Sequence, residues 1–179
     1  MDAQLFLSLN HLGPPALDDL MWIISELGKG EFAAAITIIL VGVAHRGLKL
    51  IPTVMILLAL GGAGVTSSVI KDWVYRPRPF TTLQSEVRVV GEELRQRSFP
   101  SGHAASAFSL CVAACLPLQR RRAWLLGLVL ASLVAFSRIH VGAHYPGDVM
   151  AGAMLGALWG IGAAKLQALL EQRSKPQPA

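Results

Sequence analysis

From Leu50 to Ile70 the chain runs 21 residues without a charge. As an α-helix rising about 1.5 Å per residue, such a run crosses the roughly 30 Å hydrocarbon core of a bilayer. Four shorter uncharged runs follow the same plan: Phe32 to Ala44, Ala104 to Gln119, Ala123 to Ser137 and Val149 to Ala164. Only 15% of the 179 residues are charged and 53% are hydrophobic, whereas about 25% are charged in an average soluble domain. A single soluble core has no use for five such runs. The expected architecture is all-α: a polytopic membrane helical bundle with five clear spans, forming one integral-membrane domain over residues 1–179.

Residues 1–30 leave two readings open. Gln4 to Leu12 is apolar-rich and Gly13-Pro14-Pro15 breaks it, while Ala16, Leu17, Leu20, Met21, Ile24 and Leu27 fall near helical spacing. The segment is either an interfacial helix or part of a broken sixth span. Met1-Asp2-Ala3 lacks the basic start of a cleavable signal peptide, so none is expected, and the tail from Gln172 is expected to be loose. Gly152, Gly156 and Gly160 make a flat stripe for close helix packing, and Gly61, Gly62 and Gly64 invite the same reading. Cys111 and Cys115, four apart within one apolar run, read as packing residues.

The formal charge is +5, but the basic residues are scattered among loops, so no nucleic-acid surface is expected. If the spans alternate, Arg46, Lys49, Arg120, Arg121, Arg122, Lys165, Arg173 and Lys175 share one side, which would be cytoplasmic. The other eight of the 16 Lys and Arg lie opposite. The orientation rule therefore ties until some outer-side cations are given another job.

Three clusters on that outer side supply one. "KDWVYRPRPF", Lys71 to Phe80, ends the longest run, and its prolines hold the chain extended around Arg76 and Arg78. In "RSFPSGHAAS", Arg97 to Ser106, Pro100 suits a first helical turn. The amides of Ser101, Gly102 and His103 would then be free donors at a positive helix end, open to an anion. "SRIHVGAHYPGDV", Ser137 to Val149, sets Arg138 at a span end and Asp148 in the first turn of the next helix. There a carboxylate can accept a proton from the His144 imidazole and orient it. Each cluster alone has an ordinary explanation: snorkelling cations, a helix cap, a carboxylate at a helix dipole.

Together they fit one chemistry. Lys71, Arg78 and Arg138 near hydrocarbon are costly unless an anion offsets them. Two histidines, one carboxylate and three cations suit phosphoryl transfer through a histidine nucleophile, with a second imidazole protonating the leaving oxygen. Metal-dependent hydrolysis would call for more clustered carboxylates than Asp72 and Asp148, so neither metal nor other cofactor is implied. With the three site cations set aside, five basic residues remain outside against eight inside.

Lys71 with six residues to Arg78-Pro79, Pro100-Ser101-Gly102-His103, and Ser137-Arg138 with five residues to His144 and three more to Asp148 resemble the three signature motifs of the type 2 phosphatidic acid phosphatase superfamily. The resemblance covers Lys71 to Asp148. It implies that His144 forms a phosphohistidine, that Asp148 orients it, and that His103 serves as acid and then base. It further implies that Lys71, Arg78, Ser101, Gly102 and Arg138 bind the phosphate. The implied partners are the bilayer and a lipid phosphate: undecaprenyl diphosphate first, with phosphatidylglycerol phosphate, phosphatidic acid or a phosphotransfer acceptor as alternatives. The implied location is a bacterial inner membrane with the site facing outward. His140 falls outside the pattern and reads as a spacer, whereas Arg76, Arg95 and Arg97 are spare cations for a second phosphate or for headgroups.

Overall fold

A computed structural model describes residues 2–44 and 49–173, and among these the regular structure is entirely helical. Arg46, Lys175 and the tail beyond Arg173 lie outside the described residues. The elements are α1 (Asp2–Asn10), a 3-10 turn (Pro15–Leu17), α2 (Asp18–Glu26), α3 (Gly30–Ala44), α4 (Leu50–Trp73), α5 (Pro79–Leu83), a second 3-10 turn (Gln84–Glu86), α6 (Gly102–Cys115), α7 (Arg121–His140) and α8 (Pro146–Arg173). Gln172, expected in a loose tail, still belongs to α8.

Helices α4, α7 and α8 are long and apolar enough to cross a membrane, while α3 and α6 are apolar but shorter. Length and composition thus meet three of the five expected spans among the described residues. Large apolar side chains such as Ile39, Leu58, Val65, Leu126, Met154 and Leu158 point outward, which suits hydrocarbon and not water.

Helix α6 packs against α4, α7 and α8. Its 14 residues amount to about 21 Å, because the chain before it is irregular and buried. Ser98, Pro100 and Ser101 are all inaccessible, and non-helical backbone is tolerated at membrane depth only when wrapped by protein. The helix does not start at Pro100 as the sequence suggests. Ser101 is its N-cap, with Oγ accepting from the Ala104 amide at 3.5 Å, a role a serine hydroxyl fills and a proline ring cannot.

The glycine stripe on α8 lies against α6. A methyl at Gly152 would stand 2.3 Å from the Ser101 carbonyl oxygen, and one at Gly156 would stand 2.1 Å from that of Ala105. The second glycine cluster is only partly a packing feature. Gly62 lies under the Trp159 ring, whereas Gly61 and Gly64 face open space. Cys111 and Cys115 are buried free thiols packed against Gly127.

The N-terminal region forms two nine-residue helices, each about 13 Å long and unable to span alone. Phe6 of α1 is fully buried and meets the Tyr145 ring edge-on at 5.4 Å. His140 is no mere spacer. It is fully buried, its Nε2 lies 2.9 Å from Asp18 Oδ1, and Asp18 also pairs with Arg88 at 2.6 Å. Asn10 adds hydrogen bonds to the Ile139, His140 and Arg88 carbonyls. These contacts fasten both short helices and the loop before α6 to the end of α7.

Candidate active site

Lys71 lies in the last turn of α4, where Nζ donates to the carbonyls of Pro100 at 2.7 Å and Arg97 at 3.0 Å. The first two clusters meet there. Arg78 reaches the third: Nη1 donates to the Ala143 carbonyl at 3.0 Å and lies 3.3 Å from His144 Nε2. A guanidinium can only donate. Nε2 is therefore the acceptor, and the proton of a neutral ring sits on Nδ1.

That side of His144 faces Asp148, whose Oδ2 lies 3.7 Å from Nδ1 and accepts from the Tyr145 amide at 3.0 Å. The pair lies beyond hydrogen-bond range, looser than the direct acceptance expected from the sequence. Asp148 is wholly buried, and its closest ionic partner is Arg76, at 2.6 Å from Oδ1.

The turn carrying His144 is built by Arg138. Its carbonyl accepts the amides of Ala143 at 3.0 Å and His144 at 3.1 Å. Gly142 makes that turn at φ +80, where a methyl would stand 2.8 Å from the Arg88 carbonyl oxygen, so both conformation and space call for glycine. The Arg138 side chain is buried and hydrogen-bonds Ser25 Oγ, leaving Nε without a protein partner. His103 Nε2 is likewise buried and unpartnered. Buried polar atoms seldom stay unpaired, and these two belong to residues singled out for phosphate chemistry.

All eight candidate residues gather at one end of the bundle. The Ser101 amide donates to the Asp148 carbonyl at 2.9 Å and is not open to an anion as expected. At the start of α6 the Gly102 and His103 amides remain as the candidates for that role. Burial holds the His144 imidazole well below the usual histidine range, and the Arg78, Arg138 and Lys71 charges push it the same way. The Ser98 backbone opposes them.

The spare arginines have acidic partners. Arg76 pairs with Asp148 and Asp2, Arg95 with Glu93, and Arg97 with Asp72. The expectation that they await a second phosphate loses its footing. Sequence reasoning also missed Ser25, Gly28 and Asp2. A methyl at Gly28 would stand 2.9 Å from His103 Cβ, so this glycine lets the turn after α2 close on the histidine. The break at Gly28-Lys29-Gly30 was the only hint, and nothing local marked Ser25 or Asp2.

Beside His103 and Gly102 runs a groove of about 830 Å³, bordered by Lys71 and Ser67 at one end and reaching Gly61 and Leu57 between α3 and α4. It joins the cationic cluster to the apolar flank of the bundle.

Comparison with known proteins identifies the family. The family model described as PAP2 superfamily matches residues 52–171. An undecaprenyl-diphosphatase of Sulfolobus acidocaldarius is 30% identical over 156 residues, covering 87% of this chain and 73% of that protein. Phosphatidylglycerophosphatase B of Bacillus subtilis is 29% identical over 154 residues, covering 80% and 72%. The crystal structure of Aquifex aeolicus LpxE superposes with a TM-score of 0.79 at 28% identity, over 90% of this chain and 93% of that one. With its motif residues gathered at one end of a membrane bundle, the chain belongs to the PAP2 superfamily, in the branch of the membrane lipid phosphatases.

Proposed function

We propose that this lipid phosphatase works through a phosphohistidine on His144, without a metal. His144 Nε2 attacks phosphorus, the bond from phosphorus to the leaving oxygen breaks, and His103 delivers a proton to that oxygen. His103 then takes a proton from water as its oxygen attacks phosphorus. The P–N bond breaks, freeing inorganic phosphate and neutral His144. Lys71, Arg78, Arg138 and the Gly102 amide hold the equatorial oxygens, with Ser101 capping the helix that presents them. Asp148 stabilises the imidazolium that forms at His144.

The observation that carries this reading is the 3.3 Å approach of Arg78 Nη1 to His144 Nε2, which a guanidinium can make only to an unprotonated nitrogen. The groove beside His103 supports a substrate with a lipid chain. Undecaprenyl diphosphate is the leading substrate and phosphatidylglycerol phosphate the second, each because a relative is named for it; the spare arginines no longer favour a diphosphate. We take α3, α4, α6, α7 and α8 as five spans of a single domain. Arg120 caps α7 and Arg121 and Arg122 open it, at the end away from the site, which supports an outward-facing site in a bacterial inner membrane.

The test is phosphate release by the purified protein in lipid nanodiscs from undecaprenyl diphosphate, phosphatidylglycerol phosphate and phosphatidic acid. His144→Ala and His103→Ala should each lower turnover by roughly 10²–10⁴-fold. Wild type quenched in alkali, where a P–N bond survives, should carry phosphate on His144. An unaltered rate in His144→Ala would sink the mechanism.

A further inference from the structure

Arg76 takes no part in the phosphate chemistry above, and its guanidinium is turned away from it. Nη1 donates to Asp148 Oδ1 and Nη2 to Asp2 Oδ2, both at 2.6 Å, and the group lies 4.4 Å over the Tyr145 ring. Its backbone is fixed as well: the carbonyl accepts the Ser98 amide at 3.0 Å, and Pro77 follows. Asp2 uses its other oxygen to accept the Gly147 amide at 3.1 Å, at the start of α8. A methyl at Gly147 would stand 3.0 Å from Asp2 Oδ2 and 3.6 Å from Arg76 Nη1. Glycine at 147 is what lets the three groups close up.

The arrangement answers a need of the site. Asp148 is wholly inaccessible, and an ionised carboxylate is costly to bury without a counter-charge. His144, held neutral in the free protein, does not supply one. Arg76 does, and in taking Oδ1 it leaves Oδ2 on the His144 side, accepting the Tyr145 amide and 3.7 Å from Nδ1. Because Asp2 shares the same guanidinium, Arg76 does not cancel the Asp148 charge completely. Negative charge is kept for the imidazolium formed when His144 bonds to phosphorus.

We infer that Arg76, held from its far side by Asp2 of α1, is a positioning residue for Asp148 and acts on turnover only through that carboxylate. The N-terminal helix is then part of the machinery, although it carries no motif. This inference rests on the reading of His144 as nucleophile.

Steady-state kinetics in nanodiscs test it, on whichever of undecaprenyl diphosphate, phosphatidylglycerol phosphate and phosphatidic acid the wild type hydrolyses fastest. Arg76→Gln should lower kcat roughly 10–100-fold, the scale typical of outer-shell partners, with KM nearly unchanged. Arg76→Lys should recover part of that loss, and Asp2→Asn should show a smaller loss in the same parameter. In an Asp148→Asn background, Arg76→Gln should cost nothing further. If Arg76→Gln does not fold, Gly147→Ala carries the same test, since it pushes Asp2 and Arg76 aside: a loss in kcat that disappears in the Asp148→Asn background is expected. The inference is overturned if the two losses multiply, if KM rises while kcat holds, as a headgroup contact would give, or if neither parameter moves. An active His144→Ala variant sinks the parent reading and this inference together. An inactive one beside an unimpaired Arg76→Gln sinks this inference alone.

Discussion

The amide of Ser101 donates a 2.9 Å hydrogen bond to the carbonyl of Asp148. The second and third motifs are thus joined through main-chain atoms at the N-terminal ends of α6 and α8. Below that bond the two helices run side by side, with Gly152, Gly156 and Gly160 of α8 meeting Ser101, Ala105 and Val112 of α6 in turn. The glycine stripe, which begins four residues after Asp148, sets the approach of the two halves of the site.

Gly156→Ala tests that approach. Its methyl would lie 2.1 Å from the Ala105 carbonyl oxygen, and backbone cannot rotate aside as a side chain can. A loss on the order of 1–3 kcal/mol is expected, read as a fall in Tm in detergent micelles. Gly162→Ala, on the same helix with open space around it, should leave Tm unchanged.

Ser25→Ala removes the oxygen that receives Arg138 Nη1. A buried hydrogen bond to a charged group contributes about 1.5–3 kcal/mol, which corresponds to roughly 10–100-fold in kcat/KM if Arg138 meets the phosphate. Ser25→Thr keeps the hydroxyl and should recover most of the loss. Equal kcat/KM in Ser25→Ala and wild type would detach Arg138 from substrate binding.

Gly28→Val should act on His103. The new side chain begins where Val134 Cγ1 lies 2.6 Å away and His103 Cβ 2.9 Å away, so either the turn or the imidazole has to move. We expect a fall in kcat larger than any change in KM, because His103 serves the leaving oxygen and not ground-state binding. A change in KM alone would place His103 elsewhere in the reaction.

The pH profile carries a sign. Attack needs an unprotonated Nε2, and burial together with Arg78, Arg138 and Lys71 holds His144 below the usual histidine range. The active form is therefore populated through neutral pH and below about 6.5, and is lost only as pH falls through the depressed value. In kcat/KM, which reports the free enzyme, His144 should contribute no acid limb at 6.5 or above. Titration of ¹⁵N-histidine resonances, with His144→Asn assigning the signal, checks the ring directly; a midpoint at 6.5 or higher would contradict the prediction.

Much of the helical plan was legible because hydrophobicity is a local property. The uncharged runs from Leu50, Ala123 and Val149 lie within α4, α7 and α8, and the shorter runs within or across α3 and α6. The start of α6 was misread by two residues. Pro100 and Ser101 are both good helix-start residues in isolation, and the choice depended on Ser98 and Ser101 being buried by other segments. His140 looked like filler for a similar reason, since its partner Asp18 lies at the far end of the chain.

The sequence by itself determined that the chain is an apolar helical bundle and that two histidines, a carboxylate and three cations fall at its span ends, because spacing and charge are written along the chain. Only the tertiary structure decided which way each charge turns. Arg76 looks like a spare phosphate ligand beside Arg78, yet it faces Asp148 and Asp2 while Arg78 faces His144. Neighbours in sequence part company there because a buried ion must find its counter-charge wherever the fold brings one near, and the groups that settle it, Asp2 and Ser25, come from an N-terminal region that carries no motif.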